Sequence, residues 1–162
     1  MTEQRYCPFC GTKLQDKMNL EEKREVPFCA TCGEFRFPFF NSAVVMAIVN
    51  ETKDQMLLVR QFGDERYYLV AGYVDQGETA ERAVSREIRE ETGLTVTGMR
   101  YHRSHYYEPS NTLMMFYTAT VAEGPVQTNE EVDDYRWFPI REACLEIPKH
   151  ALAVELLKDY DI

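Results

Sequence analysis

The chain has 162 residues, 44% hydrophobic and 28% charged, with a formal net charge of −9. That composition supports one buried core with room for a small appendage and excludes a disordered chain. The longest apolar run, residues 42–49, is far short of the roughly 20 residues that a membrane helix needs. Residues 1–6 lack the apolar core of a signal peptide, so the chain reads as cytoplasmic, with no membrane partner.

The charge is unevenly spread. Residues 1–40 carry six basic and six acidic side chains, whereas residues 41–162 carry 12 basic and 21 acidic ones. An acidic domain repels the phosphate backbone of nucleic acid unless cations mediate the contact. Such a surface serves solubility, or some of its carboxylates form a cation site; position decides between the two.

Four of the five cysteines come first, as Cys7-Pro-Phe-Cys10-Gly11 and Cys29-Ala-Thr-Cys32-Gly33, with 18 residues between the pairs. This spacing suits a four-thiolate zinc site. Each C-x-x-C makes a knuckle that aims two sulfurs at one point, and the following glycine permits a left-handed turn. Two knuckles complete a tetrahedron with no open position, so the Zn²⁺ is structural. Two disulfides are the other reading, disfavoured in a reducing compartment. Residues 15–25 are mostly charged and read as a solvated hairpin or loop. Residues 35–40, Phe-Arg-Phe-Pro-Phe-Phe, read as a linker packing aromatics between two parts.

Further along, residues 42–50 and Gln55–Gln61 read as strands joined by a polar turn at 51–54. Residues 67–74 read as a strand broken by Gly72, and residues 79–92 as a helix stopped by Gly93. Strands follow over residues 95–107 and 113–121 with a turn at Pro109, then a short strand over residues 135–138. Residues 141–146 and 150–160 read as helices, the second after Pro148. Cys144, in a mixed apolar stretch, reads as a buried thiol. The pattern predicts an α/β (α+β) domain, a mixed sheet sandwiched by helices.

The chemistry concentrates in one segment. Gly72-Tyr-Val-Asp-Gln-Gly-Glu78 is followed, after seven residues, by Arg86-Glu87-Ile88-Arg89-Glu90-Glu91-Thr92-Gly93-Leu94. On a helix Glu87, Glu90 and Glu91 project within about 100° of one another. They sit at the C-terminal end, where the macrodipole is already negative. Like charges so placed cost a few tenths of a kcal/mol per pair. Arg86 and Arg89 relieve part of this, and a hard cation such as Mg²⁺ or Mn²⁺ would relieve the rest. For a bare R-E-x-x-E-E string, a solvated acidic face is the commoner explanation. The longer template G-x5-E-x7-R-E-U-x-E-E-x-G-U, with U a bulky aliphatic, has a chance probability on the order of 10⁻⁸ to 10⁻⁷ in a chain this long.

This segment is identified as a Nudix box. The resemblance implies a Nudix-type α/β/α sandwich over residues 39–162, preceded by a zinc ribbon over residues 1–38. It implies that Glu87, Glu90 and Glu91 hold Mg²⁺ or Mn²⁺, one of them serving as general base. Arg86 would fix the glutamates, Glu78 would brace the loop or join in metal binding, and a backbone oxygen near Ala71 and Gly72 would also ligate. Ribbon and box together resemble the zinc-containing NADH pyrophosphatase-like branch, which places a further metal-ligand glutamate at Glu131; a solvated loop carboxylate beside Glu130 is the other reading of that residue. The activity implied is cleavage of the pyrophosphate of NAD(H), ADP-ribose or a similar nucleotide to two monophosphates, and the resemblance also implies a homodimer.

Two features depart from that branch: no further domain is expected ahead of the ribbon, and Ser104-His-Tyr-Tyr-Glu-Pro-Ser110 replaces the branch's Ser-Gln-Pro-Trp-Pro-Phe-Pro, a motif tied to dinucleotide specificity. Tyr73, Tyr106 and Tyr107 are candidates for stacking on a base or nicotinamide ring, or are ordinary strand aromatics. A nucleoside-triphosphate or RNA-cap pyrophosphatase is the second enzyme reading. A nucleotide-sensing module that binds without cutting is a third, disfavoured by the intact box. A zinc-ribbon nucleic-acid binder is a fourth, disfavoured by charge, so nucleic acid is expected only as a capped RNA end.

Overall fold

The computed structural model describes residues 4–148. The chain divides into two compact units, Met1–Phe40 with Glu108–Asn111, and Asn41–Tyr107 with Thr112–Ile162.

The first unit holds a three-stranded antiparallel sheet of β1 (Gln15–Asn19), β2 (Arg24–Cys29) and β3 (Glu34–Phe35), in that order. The charged stretch after the first knuckle is a hairpin. Asn19 shapes its turn, its side-chain oxygen accepting from the backbone N–H of Glu21 at 3.0 Å and of Glu22 at 3.1 Å. Val26 and Cys29 are fully buried. Phe28 and Phe35 pack edge to face, their rings 5.1 Å apart. Phe37, Phe39 and Phe40 are exposed, in a stretch, residues 36–40, that belongs to no strand.

The second unit contains β4 (Asn41–Val49), β5 (Gln55–Gln61), β6 (Val70–Tyr73), α1 (Ala80–Thr92), β7 (Val96–Tyr107), β8 (Thr112–Val121), β9 (Val132–Pro139) and α2 (Ile140–Glu146). The sheet runs β7-β8-β4-β5-β9, with β6 also paired to β4. The β4–β8 pairing is parallel and the others are antiparallel, so the sheet is mixed. Seven consecutive residues of β4 are buried, as a central strand covered on both faces requires. Its parity divides the core. Val44, Met46 and Ile48 pack with Ala83, Val84 and Ile88 of α1. Val45, Ala47 and Val49 pack with Ala143 of α2 and with Ile147. The fold is therefore an α/β/α sandwich.

Two strands differ in extent from the sequence pattern, and one thiol differs in burial. The expected strand over 67–74 is confined to Val70–Tyr73, after a single bridge between Tyr68 and Val59. Phe62 and Gly63 take positive φ values of 56° and 74° just ahead of it and bend the chain. Tyr67 turns to Phe138, 5.1 Å between rings, and donates to Asp134 at 2.8 Å. The expected short strand at 135–138 extends over Val132–Pro139. Cys144 is half-buried, not buried, because its short helix leaves it at the margin of the second cluster; its thiol donates to the Ile140 carbonyl at 3.2 Å. The helix expected over residues 150–160 lies outside the described residues. Among the described residues no helix is long and apolar enough to cross a membrane.

Candidate active site

Helix α1 is set by its caps. Thr79 accepts from the N–H of Arg82 at 3.3 Å, and Gly93 closes the helix in the left-handed conformation, its N–H donating to the Arg89 carbonyl. The buried face of α1 runs Ala83, Val84, Ile88, Glu91 and Thr92. Val84, Ile88 and Glu91 follow the i, i+4, i+7 spacing of one stripe, so Glu91 stands where the helix would otherwise place an apolar residue. It is 2% exposed.

The carboxylates line a cleft of about 350 Å³ with Ala71, Gly72, Tyr73, Asp75, Arg86 and Asn129. Four glutamates face it: Glu87, Glu90 and Glu91 from α1, and Glu131 from the loop before β9. Asn129 shapes that loop by accepting from the N–H of Glu131 at 3.0 Å. Gly72 is needed for close approach: a β-carbon there would overlap the carboxyl group of Glu87.

Arg86 ties the box together. Its Nε and Nη2 donate to the two oxygens of Glu78 at 3.0 and 2.9 Å, a bidentate pair. Nη1 reaches Glu87 at 2.8 Å and Glu90 at 3.2 Å, and Nη2 also donates to the Tyr73 carbonyl at 2.9 Å. Glu78 binds Arg86 and accepts from the Asp75 N–H at 3.2 Å, and it is absent from the residues lining the cleft. The guanidinium holds its carboxyl below the usual range.

Glu91 lacks such help. The side-chain amide of Gln61 donates to its Oε2 at 2.8 Å. Burial, followed by the charges of Glu87, Glu131 and Glu90, pushes its carboxyl up to about 8. Burial also raises Glu87, against the pull of Arg86. An anionic cluster of this kind suits a divalent cation. Its oxygens are more widely spread than the thiols below: among the described residues, the four cysteines form the one group of three or more candidate ligands whose donor atoms all lie within 4.8 Å. Mg²⁺ tolerates that spread, since it takes one or two carboxylates with water and substrate phosphate completing its shell.

Of the proposed stacking residues, Tyr73 lines the cleft and is 57% exposed. Tyr106 and Tyr107 end β7 and do not line this cleft. Gln61, Asp75 and Asn129 were absent from the expected site. Gln61 had a signal: it is the polar member that ends the buried Leu57–Val59 stripe of β5.

The thiols form the second cluster. Cys10 Sγ lies 3.5 Å from the sulfurs of both Cys29 and Cys32, and Cys7 Sγ lies 3.9 Å from Cys32. Zn–S bonds of 2.3 Å in a tetrahedron place sulfurs about 3.8 Å apart, whereas a disulfide needs about 2.05 Å. Gly11 and Gly33, at φ 73° and 72°, donate back to the carbonyls of Cys7 and Cys29, so the two knuckles repeat one geometry. Arg36, itself buried, donates from Nε to Cys7 Sγ at 3.3 Å and pulls that thiol down to about 6. The donor set fits zinc.

The family model described as the NUDIX domain matches residues 40–160. The chain belongs to that family of hydrolases. It is 30% identical over 158 residues to the NAD-capped RNA hydrolase NudC of Vibrio cholerae, covering 95% of this chain and 56% of that protein. It is 30% identical over 163 residues to the protein of the same name from Stutzerimonas stutzeri, covering 99% and 57%. The chain thus spans little more than half the length of these relatives. Among solved structures, a NUDIX hydrolase from Nitrosomonas europaea aligns over 96% of this chain and 91% of its own, with a TM-score of 0.64 at 16% identity. An Ap4A hydrolase of C. elegans aligns over 74% and 95%, with a TM-score of 0.60 at 21% identity. At these identities the likeness shows the fold.

Proposed function

We propose that this chain is a divalent-metal-dependent pyrophosphohydrolase whose substrate is the NAD pyrophosphate, free as NAD(H) or at the end of an RNA, with ADP-ribose the nearest alternative. The observation that carries the reading is the cleft into which Glu87, Glu90, Glu91 and Glu131 converge around a glycine. The names of the curated relatives support the NAD-capped RNA form. A net charge of −9 disfavours binding the RNA body through its phosphates, so the recognised unit is the dinucleotide end.

In this reading Glu87, Glu90, Glu91 and Glu131 hold Mg²⁺ or Mn²⁺, with a backbone oxygen at Ala71. Ions bound by these residues would offset the charge of the pyrophosphate and polarise its phosphoryl oxygens. Arg86 fixes Glu87 and Glu90 and braces the loop through Glu78. One glutamate of the cluster takes a proton from the attacking water. The water oxygen bonds to phosphorus as the bridging P–O bond breaks, leaving two monophosphates. The exposed ring of Tyr73 stands at the cleft, placed to stack on a base or nicotinamide. The ribbon spans residues 1–38 and holds structural Zn²⁺, and the hydrolase domain spans residues 39–162. The thiol cluster supports a cytoplasmic setting, and a homodimer is part of the same proposal, read from the mass in solution by light scattering.

The test is product analysis with Mg²⁺ or Mn²⁺ and NADH, NAD⁺, NAD-capped RNA, ADP-ribose, diadenosine polyphosphates and nucleoside triphosphates. Nicotinamide mononucleotide plus AMP, or plus a 5′-monophosphate RNA, supports the reading. Preference for ADP-ribose or a triphosphate moves the substrate but keeps the chemistry. No cleavage of any of them, with metal bound, sinks the enzyme reading in favour of a nucleotide-binding module.

A further inference from the structure

Strand β5 presents Leu57 and Val59 to the α1 face of the sheet, and both are fully buried there. Strand parity sends residue 61 the same way. The residue in that place is glutamine, and its amide nitrogen lies 2.8 Å from Glu91 Oε2. Glu91 is the most deeply buried of the four cleft carboxylates, and no salt bridge to Arg86 steadies it as one steadies Glu87 and Glu90.

The sheet is irregular at this point. Leu57 pairs with Trp137, Val59 with Tyr135 and Arg60 with Asp134, but Gln61 pairs with Val132. Asp133 is the extra residue of a β-bulge. Without the bulge Asp133 would stand opposite Gln61, adding a further carboxylate beside Glu91. With it, apolar Val132 joins the α1-side core, and Asp133 instead accepts from the Gly63 N–H at 2.7 Å. Bulges re-aim side chains beside active sites. This one keeps the Gln61 amide as the neighbour of Glu91 and starts β9 one residue after Glu131.

We infer that Gln61 is a positioning residue for Glu91. A carboxamide gives a neutral N–H donor to the carboxylate, with no charge of its own. It occupies Oε2 and so turns Oε1 of Glu91 to the cleft for metal or water. A second arginine would tie up the carboxylate, and an apolar residue would leave it without a donor. This inference rests on the hydrolase reading above.

The experiment compares wild type, Gln61→Met, Gln61→Glu and Glu91→Gln by Mn²⁺ binding, read from the free-ion electron paramagnetic resonance signal, and by kcat and KM for NADH. Gln61→Met keeps the length and removes the donor. Support is a kcat lower by about 10- to 100-fold, as for outer-shell partners of metal ligands, with KM within about twofold and Mn²⁺ binding weakened. Gln61→Glu keeps shape and adds charge, so it separates position from packing: kcat falls similarly although Mn²⁺ binds no more weakly. Unchanged kcat in either variant, alongside an impaired Glu91→Gln, overturns the role of Gln61 and leaves the hydrolase reading standing. A Glu91→Gln variant equal to wild type in both measurements overturns the metal site and the role of Gln61 with it.

Discussion

The carboxyl group of Glu87 occupies the space in which a side chain on Gly72 would begin. Gly72 does not have a positive φ, so its value lies in close approach and not in backbone freedom. The obstructing atoms are the far end of a flexible side chain, which can swing aside. Gly72→Ala is therefore expected to leave the melting temperature within a few degrees of wild type. Turnover should fall by about 10²-fold, the scale of an ångström's misplacement of a catalytic group. Steady-state kinetics at saturating Mg²⁺ beside thermal melts check this, and wild-type turnover would detach Glu87 from the chemistry.

Arg86 bonds three carboxylates and a carbonyl at once. A lysine carries the same charge but cannot span Glu78 with two parallel donors while reaching Glu87. Arg86→Lys should lower kcat by about 10- to 100-fold, and it should also lower the melting temperature, because Glu78 is left half-paired with its side chain 13% exposed. A full set of melts and kinetics separates the two effects. Retention of both would mean that charge alone suffices at this position.

Much of this was legible from residue spacing. The helix read over residues 79–92 and stopped by Gly93 matches α1 to within one residue and put Glu87, Glu90 and Glu91 on neighbouring positions; the Thr79 cap came only with the structure. The two C-x-x-C-G repeats placed the thiol cluster, because a knuckle is a local structure. What spacing could not supply is long-range. Glu91 differs from Glu87 and Glu90 because of what packs over it, and Gln61 is 30 residues away. The bulge at Asp133 and the acidic pair Asp133 and Asp134 hid the first residues of β9, since a strand beginning V-D-D does not alternate cleanly.

Glu91 couples stability to pH. Its carboxyl titrates near 8 in the fold and near 4.3 in the unfolded chain. Between those values the folded chain keeps a proton that the unfolded chain has lost, so stability without added divalent metal falls as pH rises from about 5 to 8, by at most about 1.4 kcal/mol per pH unit for one group. Glu87, also raised, acts in the same direction. Glu78 is lowered by Arg86, so the stability it contributes is lost only at lower pH, outside this window. A cation that binds the ionised cluster should reverse the trend. Melting temperatures with and without Mg²⁺ are expected to diverge from pH 5.5 to pH 8, and a constant difference would remove ionised Glu91 from the metal site.

Zinc in the ribbon can be tested independently of any substrate. The sulfur separations of 3.5 to 3.9 Å fit a tetrahedral thiolate site. Elemental analysis is expected to give about one zinc per chain, released by a thiol-modifying reagent. Cys29 is fully buried, and Cys29→Ser should abolish stoichiometric zinc. Arg36→Met tests the support of the site, since it keeps all four sulfurs and removes the donor 3.3 Å from Cys7 Sγ. That variant should still bind zinc but surrender it to a chelator at about 10- to 100-fold lower concentration, because the guanidinium no longer offsets the negative charge of four thiolates around one dication. Zinc absent from the wild-type protein would remove the ribbon assignment, whereas zinc held equally well by Arg36→Met would confine the role of Arg36 to its ion pair with Glu34 and its stacking on Phe9, 4.7 Å from the ring centre.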